Sequence, residues 1–202
     1  MREILKIIVL VVTAAGLCFV ARANAGEIKT ESIVVAGGCF WGVEAVFEHT
    51  KGVTNVVSGY AGGKAETAKY DLITSGDTGH AEAVQITYDP SQVSLSQLLD
   101  IYFGVAHNPT QLNYQGPDHG TQYRSAVFYS SPEQKKIVDE KIAALKSPTP
   151  IVTTLEPLEK FYAAESYHQN YAAENPYQPY ILMHDAPKVA NLQKKFPELY
   201  VK

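Results

Sequence analysis

The chain has 202 residues, enough for one domain with a real core and too few for two comfortable ones. Hydrophobic residues make up 46% and charged residues 19%, a globular balance that excludes a disordered chain. A net charge of -4, with no cluster of Lys or Arg, excludes the electrostatic footprint of a nucleic-acid binder.

Residues 1–25 read as a cleavable secretory signal. Arg2 and Lys6 flank the start of an apolar run, Ile7 to Val12 continued by Ala14 to Val20, and Ala23-Asn24-Ala25 matches the small-x-small cleavage rule. The run is short for a membrane span. The expectation is a signal peptide at 1–25, one domain at 26–202, a secreted or periplasmic location, and no membrane contact after cleavage; an uncleaved anchor is the alternative. Cleavage removes Cys18 and leaves Cys39 as the remaining cysteine, so no disulfide framework is expected.

Ser32 to Ala36 is a β-branched run ending at Gly37-Gly38, which predicts a buried strand and a tight turn. Phe40, Val43, Val46 and Phe47 then recur with helical spacing, so Phe40 to His49 is predicted as a helix stopped by Gly52. A strand is expected around Val53 to Tyr60, followed by long glycine-rich irregular structure up to residue 80. A loop of that length inside one domain is usually functional. Ala83 to Tyr88 alternates as a strand, and Ser94 to Gln97 is a capping box for a helix reaching Phe103.

Residues 107 to 122 form a second polar loop. Ser125 to Tyr129 reads as a strand, and Ser131-Pro132-Glu133-Gln134 opens a helix to about Leu145. Ile151 to Leu155 is predicted as a strand and Ala163 to Ala173 as a short helical piece. After Pro176 the proline-marked tail is expected to be extended and to wrap over the body. Strands and helices alternate with mixed connections. The expected fold is therefore α+β, a mixed sheet around a split β-α-β (ferredoxin-like) core with helices packed on it and an extended C-terminal tail.

Cys39 follows the glycine turn and precedes a helix. A helix N-terminus carries partial positive charge and unpaired N–H groups, which favour thiolate over thiol. The bland reading is a small buried apolar residue. Phe40 and Trp41 beside it form either an apolar cup for a methyl group or ordinary core. Glu82, flanked by small and apolar residues where loop becomes strand, is a candidate neutral carboxylic acid and proton donor, or else an exposed strand end. Tyr70 and Tyr123 can donate hydrogen bonds to an oxygen while keeping a site apolar. Asp118 lies close before Tyr123. The six histidines show no paired spacing and no Cys-x-x-Cys occurs, so no metal is expected.

Four separated motifs resemble the class A peptide methionine sulfoxide reductases. They are Gly38-Cys39-Phe40-Trp41-Gly42, Gly76 to Glu82, Asp118 to Ser125, and Ala164 to Gln169, in the family's order over about residues 32 to 172. The resemblance implies Cys39 as nucleophile, Glu82 as the acid that protonates the sulfoxide oxygen, Tyr70 and Tyr123 as phenols bonded to that oxygen, Phe40 and Trp41 as the methyl pocket, and Asp118 as a polar pocket residue. It implies reduction of the S epimer of methionine sulfoxide, in oxidised proteins or peptides, through a sulfenic acid on Cys39. Many relatives carry a resolving cysteine near the C-terminus. Here Asn175 to Lys202 contains none, which resembles the single-cysteine branch. No bound cofactor is then expected, but an external thiol reductant or exported redox protein is, with the enzyme a monomer.

Two other readings stay open on the residues. A cysteine hydrolase or acyltransferase would need His80, His119 or His168 as a base for Cys39. A binding module for methionine or oxidised peptides would need no reactive thiol.

Overall fold

The structure is a computed structural model that describes residues 29–202; the signal expected at 1–25 lies outside the described residues. In chain order the strands and helices are β1 (Glu31–Ala36), α1 (Phe40–Glu48), β2 (Val53–Ala61), α2 (Tyr70–Ile73), β3 (Ala81–Tyr88), α3 (Leu95–Ile101), β4 (Tyr114–Gln115), β5 (Asp118–His119), β6 (Ala126–Tyr129), α4 (Pro132–Ala144), β7 (Thr154–Pro157), β8 (Phe161–Ala163), α5 (Tyr171–Glu174) and α6 (Ala186–Lys195). Among the described residues, no helix is long and apolar enough to cross a membrane.

A six-stranded sheet runs in the order β7-β6-β1-β3-β2-β8. Both β1 and β2 pair antiparallel with β3, so they run parallel to each other with β3 between them. β6 is antiparallel to β1, and the edge strand β7 is parallel to β6, which makes the sheet mixed. This is the α+β architecture expected.

The strand period of two sorts the side chains onto two buried faces. Ile33 and Val35 of β1, with Val84, Ile86 and Tyr88 of β3, face the helices and join Phe40, Phe47, Leu98 and Ile101 in the main core. Val34, Ala36, Ala81, Ala83 and Phe128 face the other way, under Leu158 and Phe161. A central strand buried on both faces explains why Ile33 to Ala36 is an unbroken apolar run.

The helix starts follow their caps. Ser94 accepts from the Gln97 N–H while the Gln97 side chain accepts from the Ser94 N–H, a complete capping box. Ser131 accepts from the Gln134 N–H, with Pro132 in the first turn.

Three expectations are corrected. The C-terminal tail is not extended: Ile181–Asp185 is a wide π-turn that runs into α6. Pro187 sits in the first turn of α6, where its missing N–H costs nothing, and Leu192 is driven into the core. The tail does wrap the body, since Lys51 N–H donates to Leu199 O and Val201 N–H to His49 O. The strand expected at Ile151 to Leu155 lies three residues later, at Thr154–Pro157, an edge position that tolerates its proline. The helical piece expected at Ala163 to Ala173 is a strand end, a turn at Ser166–His168 and one turn of α5, broken by Asn170 at φ 53°.

Candidate active site

β1 and β2 leave the sheet at the same end at which β3 and β6 enter it. Cys39, Tyr60, Glu82 and Ser125 are therefore delivered to one rim. Gly38 makes the turn from β1 with φ 90°, a left-handed conformation that glycine adopts freely, and a Cβ there would lie 2.6 Å from Gln115 Cγ. Behind the turn, the Tyr102 hydroxyl donates to Ala36 O at 2.7 Å. His107 is locked beside it, with Nδ1 3.0 Å from Tyr102 O and Nε2 2.6 Å from Ser125 Oγ. Burial holds the His107 imidazole down at about 3, so the ring is neutral: Nδ1–H donates to the carbonyl and Nε2 accepts from the Ser125 hydroxyl.

Cys39 occupies the N-cap position of α1 and is 8% exposed. Its thiol is pushed well up from the ordinary value, first by burial, then by the carboxyl groups of Glu82 and Asp185; the Trp41 N–H and the Lys188 ammonium act in the opposite direction. This corrects the expectation that the helix start alone produces a thiolate. The helix N–H does act on the sulfur, but a desolvated charge costs more than one donor returns. The resting group is a thiol.

Glu82 is 2% exposed. It shares strand parity with Val84 and Ile86, so its side chain points into the helix layer toward α1. Its Oε2 accepts from the Phe40 N–H at 3.1 Å. Burial pushes its carboxyl up to about 8, with Asp118 adding to the rise and the Phe40 N–H opposing it. The group is therefore a protonated acid at neutral pH, as the sequence led us to expect, and it stands beside the residue that follows the thiol.

Tyr70 and Tyr123 meet here from different segments. Tyr70 begins α2 rather than lying in a loop, and Tyr123 ends a 3₁₀ turn at Thr121–Tyr123. Burial raises Tyr70 to about 12 and also raises Tyr123; Glu82, Asp118 and Cys39 contribute to both. Both phenols are thus fixed hydrogen-bond donors across the physiological range. Asp118, on β5, accepts from the Tyr180 hydroxyl.

Phe40 is 1% exposed and packs at 5.1 Å from His168 and 6.0 Å from Tyr60. Trp41 is partly exposed and stacks on Tyr171 at 3.8 Å, with Tyr180 edge-on at 6.2 Å. Its indole N–H donates to His168 Nδ1 at 3.2 Å. Cys39 opens onto a cleft of about 90 Å³ bounded by Gln115, Pro117, Asp118 and Tyr180. A larger apolar groove of about 450 Å³, between α1, α5 and α6, holds none of these seven residues.

The structure thus brings all seven sequence-predicted residues to one rim. It adds others that spacing could not select. Glu165 accepts from the Tyr60 hydroxyl at 2.8 Å and from the Tyr70 N–H at 3.1 Å, anchoring one of the phenols. Tyr180, Asp185 and Lys188 arrive from the tail. Glu165 and His168 lie inside a motif already noted, Ala164 to Gln169, which was the available signal.

Among the described residues, none of the histidines considered as hydrolase bases is hydrogen-bonded to Cys39. His80 Nε2 contacts Lys64 O at 2.9 Å, His168 Nδ1 accepts from Trp41, and His119 stacks on Tyr114 at 5.3 Å. Among the described residues, no group of His, Cys, Asp or Glu is arranged to hold a metal ion.

Comparison with known proteins identifies the family. Residues 31–200 match the family model described as peptide methionine sulfoxide reductase. The peptide methionine sulfoxide reductase MsrA 2 of Mesorhizobium japonicum is 55% identical over 175 residues, covering 85% of this chain and 90% of its own. A Synechocystis relative of the same name is 46% identical over 173 residues, covering 84% of this chain and 81% of its own. Among solved structures, reduced Mxr1 of Saccharomyces cerevisiae superposes with a TM-score of 0.67 at 38% identity, over 74% of this chain and 88% of that one. Methionine sulfoxide reductase A of Corynebacterium diphtheriae gives 0.62 at 38% identity, over 76% and 80%. On the residues matched and on its fold, this chain belongs to the peptide methionine sulfoxide reductase family.

Proposed function

We propose that the chain reduces methionine S-sulfoxide, free or in proteins, to methionine, with Cys39 as nucleophile and Glu82 as proton donor. One observation carries the residue assignment: a buried thiol and a carboxylic acid held protonated near neutrality are joined through the Phe40 N–H. The Cys39 sulfur attacks the sulfoxide sulfur. Glu82 donates its proton to the sulfoxide oxygen and takes up the proton that the Cys39 thiol releases, while Tyr70 and Tyr123 donate hydrogen bonds to that oxygen. The S–O bond passes to Cys39 as methionine leaves, giving a sulfenic acid and one methionine. Phe40 and Trp41 receive the methyl group, and Asp118 lines the entrance.

The cycle closes outside the chain. A first external thiol displaces water from the Cys39 sulfenic acid to form a mixed disulfide, and a second releases Cys39 as a thiol. The sequence offers no cysteine after Cys39 to do this internally. The reductant is a small thiol or an exported redox protein. No bound cofactor enters the reaction. The signal-like residues 1–25 support export, with mature protein starting at Gly26 in the periplasm or outside the cell; N-terminal sequencing of protein from that fraction tests this.

A single turnover tests the chemistry. The protein is mixed with an equimolar peptide carrying methionine S-sulfoxide, without reductant, and then treated with a sulfenic-acid trap. We expect one methionine per protein and one trapped adduct on Cys39. Folded protein that yields no methionine, with or without added thiol, overturns the reading.

A further inference from the structure

Asp185 and Lys188 form an ion pair pressed against the first turn of α1. Asp185 Oδ1 lies 3.2 Å from Lys188 Nζ, and their side chains are 1% and 19% exposed. Asp185 Oδ2 has no hydrogen-bond partner although it is buried. A half-satisfied buried pair is an expense to stability, not a gain. It also demands a particular neighbour. Gly42 lies one helical turn after Cys39 on the same side of α1. A Cβ there would run into Asp185 Oδ1 and come within 2.6 Å of Lys188 Nζ. Lys188 also lines the cleft onto which Cys39 opens. The pair is therefore admitted to the nucleophile by a residue with no side chain.

We propose that the Asp185–Lys188 pair sets the charge beside Cys39: the Lys188 ammonium stabilises the thiolate as it forms, and Asp185 holds that ammonium in place and moderates it. Both are positioning residues, since neither is asked to touch the substrate. The other groups that face the sulfur are accounted for. The start of α1 presents the Trp41 N–H, β3 presents Glu82, β5 presents Asp118, and the π-turn presents His184, with the phenols of Tyr70, Tyr123 and Tyr180 closing the rim. Of the three carboxyl groups, Glu82 and Asp185 oppose a negative sulfur, and Lys188 is the side-chain cation that favours it. The proposal rests on Cys39 being the nucleophile, but its test does not require turnover.

The test is the pH dependence of Cys39 alkylation by iodoacetamide, a neutral reagent, followed by peptide mass in the full-length protein and in Lys188→Met, Lys188→Arg and Asp185→Asn. Loss of Lys188 is expected to raise the midpoint and to lower the thiolate fraction below that midpoint about tenfold. Lys188→Arg restores the wild-type profile, and Asp185→Asn moves the midpoint down. A merely structural pair would shift Met and Asn variants in the same direction, or neither, and either result overturns the proposal. Should Asp185→Asn fail to fold, an unchanged midpoint in folded Lys188→Met is sufficient to reject it. The alkylation profile reports thiol ionisation whether or not sulfoxide is reduced, so a failure here is separate from a failure of the reductase reading.

Discussion

The backbone N–H of Phe40, the first residue of α1, donates to Glu82 Oε2 at 3.1 Å. The proton donor is thereby tied to the same helix start that carries the nucleophile at its N-cap. The burial has a chemical cost for the fold: it raises the Glu82 carboxyl from 4.5 to about 8, against the opposing pull of the Phe40 N–H. The unfolded chain ionises above 4.5 while the folded chain keeps its proton, so Glu82 draws stability out of the protein as pH rises from 4.5 to about 8.

Glu82→Gln is accordingly expected to separate stability from activity. Its amide oxygen can still accept from Phe40, but it cannot donate an acidic proton. Single-turnover reduction should fall roughly 10²- to 10⁴-fold. Stability in urea should match wild type near pH 4 and exceed it at neutrality, by on the order of 3 kcal/mol at pH 7. A variant that is less stable than wild type at pH 7 would contradict the burial argument.

In the free protein Cys39 is expected to react as a thiol. Burial and the carboxyl groups of Glu82 and Asp185 raise it, so iodoacetamide labelling at Cys39 should be slow at pH 7 and climb through the alkaline range without a plateau below pH ~9. Labelling already maximal at pH 7 would show that the helix start outweighs burial.

Glu165 is expected to matter through Tyr70. It accepts from the Tyr70 N–H and from the Tyr60 hydroxyl. Glu165→Ala removes both anchors, and we expect the single-turnover rate to fall by roughly 10- to 100-fold from misplacement of one phenol. Tyr70→Phe in the Glu165→Ala background should add little further loss. Fully additive losses would place Glu165 in some role independent of Tyr70.

Ser94→Ala tests a purely structural reading. The capping box at the start of α3 satisfies two backbone donors, and its loss should cost about 1 kcal/mol in thermal or urea unfolding. Turnover at 25 °C should be unchanged, because α3 supports the sheet from behind and supplies no group to the cleft.

Much of this was legible along the chain because its cause is local. The capping residues Ser94 and Ser131 marked helix starts, since a side chain three residues from its target needs no tertiary partner. The apolar run of β1 and the spacing of Phe40, Val43 and Phe47 marked buried faces for the same reason. Cys39 and Glu82 could be singled out by position, and family motifs supported them and the two tyrosines. The tail was misread because its prolines were taken as breaks, when Pro187 sits in a first turn that tolerates it.

What the sequence by itself determined, then, is where the locally capped helices start and which residue types are available for thiol and acid chemistry. The tertiary structure decided their protonation. The Cys39 thiol is raised and Glu82 kept neutral by desolvation, and desolvation depends on what packs around a group. Only folding brings Asp185 and Lys188, distant in sequence from Cys39, against Gly42. Charge interactions at such contact distances depend on burial and separation in space, and neither is encoded in the spacing of residues along the chain.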